Sequence, residues 1–109
     1  MNEFLAAYVE RFNEGVRTGE FDGLVELYEE DGELVFEGVP VGPFRGRKAI
    51  AEAYRVRPPD DELRLTTVEE RPDALVARFD WLRGGSGTMR LELGGEAIRR
   101  LTVSFDPAP

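Results

Sequence analysis

The sequence predicts an α+β domain in which a curved antiparallel β-sheet wraps three N-terminal helices. Apolar residues recur at helical spacing as far as about residue 55. From residue 62 onwards they alternate with polar residues, as they do in strands that face solvent on one side. Short segments rich in Gly or Pro separate these alternating runs, which is typical of consecutive strands joined by tight turns.

The length and composition favour one small domain without a metal or cofactor. At 109 residues, we expect one domain over residues 1–106 and a frayed tail over residues 107–109. The absence of Cys and His excludes thiolate nucleophiles, thiolate metal sites and imidazole proton transfer. The acidic clusters at residues 29–31 and 60–62 lack the spaced oxygen ligands of a calcium loop. We therefore expect solvated turns there, and no metal.

The charge balance argues against two classes of partner. The chain has 22 acidic and 14 basic residues, so its net charge of −8 disfavours binding to nucleic acid. Its first 15 residues are interrupted by charges and contain no apolar run of membrane-spanning length. We therefore expect a cytoplasmic protein that binds neither nucleic acid nor membrane.

Two amphipathic segments begin the chain. The first has its apolar side at Phe4, Tyr8 and Phe12 and predicts a helix that ends between Gly15 and Gly19. The second repeats the pattern from Phe21 to Tyr28 and predicts a helix that stops at the acidic cluster of residues 29–31. These helices should pack as a pair.

A strand, a loop and a third helix follow. The apolar run Leu34–Phe36 predicts a short strand, and the Gly and Pro residues at positions 38–43 predict a loop. Residues 47–55 predict a helix with Ile50 and Tyr54 on its apolar face. The pair Pro58-Pro59 prevents this helix from continuing.

Four runs of alternating residues predict an antiparallel meander over residues 63–70, 75–82, 88–93 and 97–105. Alternation assigns the side chains to two faces. The apolar face, which should meet the helices, contains Leu75, Ala77, Phe79, Trp81, Met89, Leu91, Leu93, Leu101, Val103 and Phe105. The polar face contains Arg78, Asp80, Arg90, Glu92, Arg100, Thr102 and Ser104. A strongly curved sheet around few helices leaves a cone-shaped cavity, which is the default ligand site of such a domain.

Three sequence segments resemble the nuclear transport factor 2-like superfamily, which includes the ketosteroid isomerases and the SnoaL-like polyketide cyclases. They are residues 19–22 running into residues 27–31, the segment Phe44–Ile50, and Tyr54 at the end of the third helix. The resemblance covers essentially the whole chain. The resemblance implies a cystatin-like α+β roll. Because the superfamily contains many enzymes and many non-enzymes, the resemblance leaves the activity open.

Comparison with the isomerases implies candidate catalytic residues. Their base is a carboxylate on the strand after helix two. Its position falls on Phe36 when counted forward from the acidic cluster and on Glu37 when counted back from Arg45. Glu37 is therefore the candidate general base. Tyr28 and Tyr54 match tyrosines that support the hydrogen-bond network of that family.

The isomerases' two oxyanion donors have no direct counterparts here. The tyrosine position of helix one falls at Phe12, with Tyr8 one turn earlier, and the acid position falls at Met89. The limonene epoxide hydrolases offer another comparison, because Arg78-Phe79-Asp80 imitates their Arg-x-Asp element. Strand parity argues against this, since Arg78 and Asp80 could face the cavity only if Phe79 faced outwards.

Three hypotheses for function follow. The first is an isomerase or cyclase for a small apolar carbonyl compound, with Glu37 as base and tyrosines as donors. The second is a non-catalytic module that binds an apolar ligand in the cone. The third is a structural dimer module with a collapsed cavity. The candidate ligand-binding residues are Tyr8, Phe12, Phe36, Phe79, Trp81, Met89, Val103 and Phe105.

The polar face of the sheet predicts a homodimer. Its opposite charges can pair across strands, and Arg is favoured at protein interfaces. Members of the superfamily commonly dimerise through this face. We therefore expect a twofold contact formed by Arg78, Asp80, Arg90, Glu92, Arg100, Thr102 and Ser104.

Overall fold

The computed structural model, which describes residues 2–107, contains three helices and one six-stranded sheet. Two helices come before the first strand in the chain, and the third lies between the second and third strands. The helices are α1 (Glu3–Thr18), α2 (Asp22–Val25) and α3 (Arg47–Val56). The strands are β1 (Tyr28–Glu37), β2 (Phe44–Arg45), β3 (Leu63–Glu70), β4 (Leu75–Trp81), β5 (Ser86–Gly94) and β6 (Ala97–Phe105). Of the predicted frayed tail, Pro107 is exposed outside regular structure, and residues 108–109 lie outside the described part.

The predicted α+β class, with three helices and a curved sheet, is confirmed. The strands lie in the order β2-β1-β6-β5-β4-β3, so the sheet is not closed into a barrel. The meander β3 to β6 is antiparallel as predicted. Register shifts interrupt the pairs β1–β6, β3–β4 and β5–β6, and such bulges bend a sheet.

The expectation of a wholly antiparallel sheet is wrong in one place. β1 runs parallel to β6, with Phe36 opposite Val103 and Glu37 opposite Ser104. The chain between them contains β2, α3 and the strands β3 to β5, so the last strand of the meander returns to lie beside β1. Parallel pairs need such a long connection, and spacing within the sequence does not reveal it.

The predicted second helix is too long. α2 ends at Val25, and Tyr28 already belongs to β1, so the acidic cluster of residues 29–31 lies in a strand instead of a turn. The Ile98 N–H donates to the Leu27 carbonyl, at 2.8 Å, and draws this segment into the sheet. Gly32 permits the close approach, because a Cβ there would lie 2.7 Å from the Ile98 carbonyl oxygen. Tertiary pairing has overridden the local helical pattern.

The predicted loop before α3 also contains a short strand. Phe44 and Arg45 form β2, which pairs antiparallel with β1 through Leu34 and Glu33. Gly46, with φ of 89°, then turns the chain into α3. The pairing of β2 with β1 places Phe44 near Phe36, with ring centroids 6.4 Å apart.

Local residues cap α1 at both ends. The Asn2 side chain accepts a hydrogen bond from the Leu5 N–H, at 3.0 Å, and so caps the first turn. Gly19 ends the helix in the left-handed conformation, with φ of 84°. Between these caps, Leu5, Tyr8 and Phe12 are buried against the sheet.

The two sheet faces follow the predicted alternation. Leu75, Ala77 and Phe79 on β4 are buried, whereas Arg78 between them is exposed. Phe105 departs from the pattern, because it is 40% exposed at the end of β6. Among residues 2–107, no helix has the length and apolar character needed to cross a membrane.

Candidate functional site

A cavity of about 990 Å³ lies between the inner face of the sheet and the helices. Its buried lining comes from α1, α3 and five of the strands, and includes Tyr8 and Phe12 from α1 and Tyr54 from α3. The exposed residues of its lining mark the mouth, which the α3–β3 loop and the β4–β5 turn flank. All eight residues predicted to bind a ligand line this cavity: Tyr8, Phe12, Phe36, Phe79, Trp81, Met89, Val103 and Phe105.

Aromatic rings form much of the cavity wall. Phe36 and Phe105 have nearly parallel rings, at 8° and 6.1 Å between centroids. Trp81 continues this wall at 6.5 Å from Phe105 and also lies 6.0 Å from Phe12 on α1. Because β1, β4, β6 and α1 each contribute a ring, the wall depends on the assembled sheet.

Gly87 explains how the Phe79 ring fits beside this wall. It lies opposite Phe79 in the β4–β5 pair and opposite Phe105 in the β5–β6 pair. A Cβ on Gly87 would lie 2.6 Å from the Phe79 ring and would also clash with the Ser104 carbonyl oxygen. The missing side chain therefore allows the Phe79 ring to pack over β5.

The three tyrosines of the chain meet at the inner end of the cavity. Tyr8 and Tyr54 line it, and Tyr28 lies behind them and is fully buried. Burial raises the pKa of all three hydroxyls above the ordinary value of 10.0, most strongly for Tyr8 and Tyr28. The hydroxyls also influence one another's titration, although the Tyr28 Oη lies outside hydrogen-bonding geometry with either neighbour.

This cluster is neutral and can donate hydrogen bonds at ordinary pH. A protonated phenol hydroxyl donates to a carbonyl oxygen or accepts from a hydroxyl. Tyr8 and Tyr54 offer these groups to the interior of an otherwise apolar cavity. Phe12 and Met89, where the family donors fall in the sequence comparison, supply only apolar surface.

The structure does not bring Glu37 to the cavity. Its neighbour Phe36 faces inwards, and strand alternation directs Glu37 to the opposite side, where it is exposed beside Ser104. The candidate catalytic residues therefore separate: Tyr54 lines the cavity, Tyr28 lies behind it, and Glu37 lies outside it. The one-residue ambiguity in the sequence comparison mattered because a shift of one residue changes the face.

Sequence reasoning missed the charged rim. The sequence predicts a solvated turn at Asp61, but the side chain of Asp61 is only 17% exposed. Asp61 Oδ2 accepts from the backbone N–H of Arg83, at 3.0 Å, and the Arg83 guanidinium donates to the Asp60 carbonyl. These contacts join the α3–β3 loop to the β4–β5 turn. No local pattern could have predicted them, since they connect residues 22 and 23 positions apart.

The acidic side chains of the described residues are not grouped as metal ligands. Within residues 2–107, no group of three or more has an arrangement that could hold a metal ion. The carboxylates in the cavity lining are Glu52, Asp60 and Asp61. All three belong to α3 or the loop that follows it.

The sequence matches the model of the SnoaL-like domain over residues 9–104. The chain belongs to this family. The matched segment extends from the middle of α1 almost to the end of β6, so it includes every strand that lines the cavity. No curated protein matches the sequence.

Solved structures agree with this SnoaL-like fold. An NTF2-like protein of unknown function from Exiguobacterium sp. 255-15 is 19% identical, with a TM-score of 0.74, over 96% of this chain and 99% of that one. Another from Cytophaga hutchinsonii ATCC 33406 is 15% identical, with a TM-score of 0.75, over 96% and 88% of the chains. A hypothetical protein with a ketosteroid isomerase-like fold from Catenulispora acidiphila DSM 44928, in complex with trimethylamine, is 15% identical, with a TM-score of 0.74, over 94% and 85%. At these identities the similarity concerns the fold alone.

Proposed function

We propose that this SnoaL-like protein binds a small apolar molecule inside the cavity. The observation that carries the proposal is an aromatic cavity of about 990 Å³, which is the size and character of many ligand sites. Among residues 2–107, no charged side chain is fully buried. The interior therefore suits an uncharged molecule.

The tyrosine cluster supplies the polar contact. Tyr8 and Tyr54 can hydrogen-bond to one oxygen of the ligand and so orient it within the apolar wall. Leaving these hydroxyls unpaired against an apolar ligand costs free energy. A ligand with one carbonyl or hydroxyl oxygen therefore fits better than a pure hydrocarbon.

Trp81 allows a direct binding experiment, because it is the only tryptophan of the chain and lines the cavity. Titration with progesterone, an apolar ketone, should change its fluorescence with saturation. Ala53→Phe introduces a ring into the cavity from α3 and should weaken binding. Lys48→Phe, on the same helix but outside the lining, is the matched control. The proposal would be overturned if neither the ketone nor apolar alcohols changed the Trp81 fluorescence, or if the change did not saturate.

A second candidate function is an isomerase that acts on a carbonyl compound. The buried tyrosines favour it, because neutral hydroxyls can hold the oxygen on which an enolate forms. The base would have to come from a rim carboxylate, since Glu37 lies outside the cavity. An assay with a β,γ-unsaturated steroid ketone tests this candidate. The ultraviolet absorbance of the conjugated product measures the isomerisation. Turnover that survives Tyr54→Phe and Tyr8→Phe unchanged would exclude the tyrosine mechanism.

We also propose that the protein forms a homodimer through the outer face of the sheet. The centre of this face contains half-buried Thr88, Thr102 and Ser104. Around them, Arg78 pairs with Asp106, and Arg100 pairs with Glu33 at 2.8 Å. The first ion pair joins β4 to the residue after β6, and the second joins β6 to β1, so the arginines are held by partners within the sheet face. The half-buried short polar residues remain partly accessible to a second copy.

A further inference from the structure

The charged residues in the cavity lining are not all neutralised. They are Glu52, Arg57, Asp60, Asp61 and Arg83. Glu52 pairs with Arg55, whereas Asp60 and Asp61 share the single guanidinium of Arg83, at 3.2 Å and 3.6 Å. Arg57 forms neither an ion pair nor a side-chain hydrogen bond within the described chain.

Arg57 lies where the cavity meets solvent. It is the exposed C-cap residue of α3, and its backbone N–H donates to the Ala53 carbonyl at 3.0 Å. Ala53 and Val56 line the cavity on the same helix. The helix therefore places an apolar surface and the guanidinium of Arg57 next to each other at the mouth.

A charged group of a ligand is disfavoured in the apolar interior of the cavity but can be accommodated at the solvent-exposed mouth. Burial of an unpaired charged group in an apolar cavity is costly. A ligand that carries a charge would therefore keep it at the rim. A guanidinium binds a carboxylate through two parallel hydrogen bonds, which a neutral hydroxyl cannot match.

We propose that the ligand is an amphiphile whose apolar body fills the cavity and whose carboxylate lies at the mouth beside Arg57. This inference rests on the proposed function and adds the chemical class of the ligand. The net charge of −8 opposes anions at long range, but salt screens this repulsion beyond about 8 Å at physiological ionic strength. The contact with Arg57 acts at shorter distance.

Three probes that share a dodecyl-length alkyl chain and differ in their head group test the inference: dodecanoate, dodecanol and dodecyltrimethylammonium. Dodecanoate and dodecyltrimethylammonium are titrated below their micelle concentrations, and dodecanol below its solubility limit, against the full-length protein with Trp81 fluorescence as the signal. Dodecanoate should bind about two- to fivefold more tightly than dodecanol, as expected for an exposed ion pair. Arg57→Gln should remove this difference by weakening dodecanoate binding to about the level of dodecanol. Lys48→Gln removes the same charge from an exposed position of α3 outside the cavity lining and should retain the preference.

The outcomes separate the two proposals. Failure of all three probes to bind overturns the proposed function and this inference with it. Equal binding of dodecanoate and dodecanol, or tighter binding of the cation, overturns this inference alone. Loss of the preference in Lys48→Gln as well as in Arg57→Gln would show a general charge effect and would also overturn it. Arg57→Lys should preserve part of the preference.

Discussion

Asn13 on α1 forms two hydrogen bonds with the backbone of Leu63 at the start of β3. Its Nδ2 donates to the Leu63 carbonyl, and its Oδ1 accepts from the Leu63 N–H, both at 2.9 Å. The side-chain amide thus acts as a short substitute for a neighbouring strand at the edge of the sheet. Leu63 and Phe12, which precedes Asn13, both line the cavity. This contact therefore ties α1 to the sheet beside the site.

Asn13→Ala should lower the free energy of unfolding by about 1–3 kcal/mol, because two partly buried backbone groups lose their partners. Urea denaturation followed by circular dichroism measures the change. Glu14→Ala, at an exposed neighbouring position, is the control and should have little effect. Equal stability of the two variants would show that solvent replaces the Asn13 contacts.

Gly87→Ala should destabilise the fold by about 1–3 kcal/mol through overpacking. The new Cβ would meet the Ser104 carbonyl and the Phe79 ring, both closer than normal contact distances. Gly23→Ala is the matched control, since its Cβ would lie 3.7 Å from the nearest Arg11 atom. Thermal unfolding compares the two. A wild-type melting temperature for Gly87→Ala would contradict the tight packing at this position.

The tyrosine cluster predicts alkaline destabilisation. Burial raises the pKa of Tyr8, Tyr28 and Tyr54 above 10.0 in the folded state, whereas the unfolded chain titrates near that value. Above this pH, the unfolded state binds fewer protons than the folded state, so stability falls as pH rises. Below it, the contribution is fully present.

Ultraviolet absorbance of tyrosinate measures this directly, because these are the only three tyrosines. The folded protein should show little tyrosinate near pH 10, and the urea-unfolded chain should titrate normally. Tyr54→Phe should remove one titrating group and reduce the pH dependence of stability. Normal titration of all three groups in the folded protein would contradict their burial.

Glu37→Gln should leave ligand binding and any turnover unchanged, because Glu37 is exposed on the outer side of β1. The progesterone titration and the isomerisation assay both measure this. Tyr54→Phe is the contrasting variant, since its hydroxyl belongs to the cavity. Loss of turnover in Glu37→Gln, with the fold intact, would restore Glu37 as the general base.

The proposed dimer predicts a sedimentation mass of about twice the 12.3 kDa chain. Thr102→Asp places two like charges near each other across a twofold contact and should shift the protein towards monomer. Thr66→Asp introduces the same charge at an exposed position of β3 outside the proposed interface. A monomeric wild-type protein at micromolar concentration would contradict the proposal.

The sequence by itself was sufficient for the class of fold and for most of the elements. The bounds of β3 and β6 agree with prediction, and α3 differs by one residue, because these segments have clear periodicity and strong turn residues. The alternation along β4, β5 and β6 also identified the inner face, including Phe79, Trp81 and Met89 in the cavity wall. Side chains that alternate across a strand leave this pattern in the sequence directly.

Only the tertiary structure decided which groups meet at the site. The parallel pairing of β1 with β6 converted Tyr28 and the following acidic residues from predicted helix and turn to strand. That pairing also fixes which side chains of β1 face the cavity, so that Phe36 points inwards and Glu37 outwards. The tyrosine cluster and the position of Arg57 at the cavity mouth likewise depend on how distant segments come together. Local periodicity predicts which face of an element is apolar, whereas the register between elements determines which side chains share a cavity.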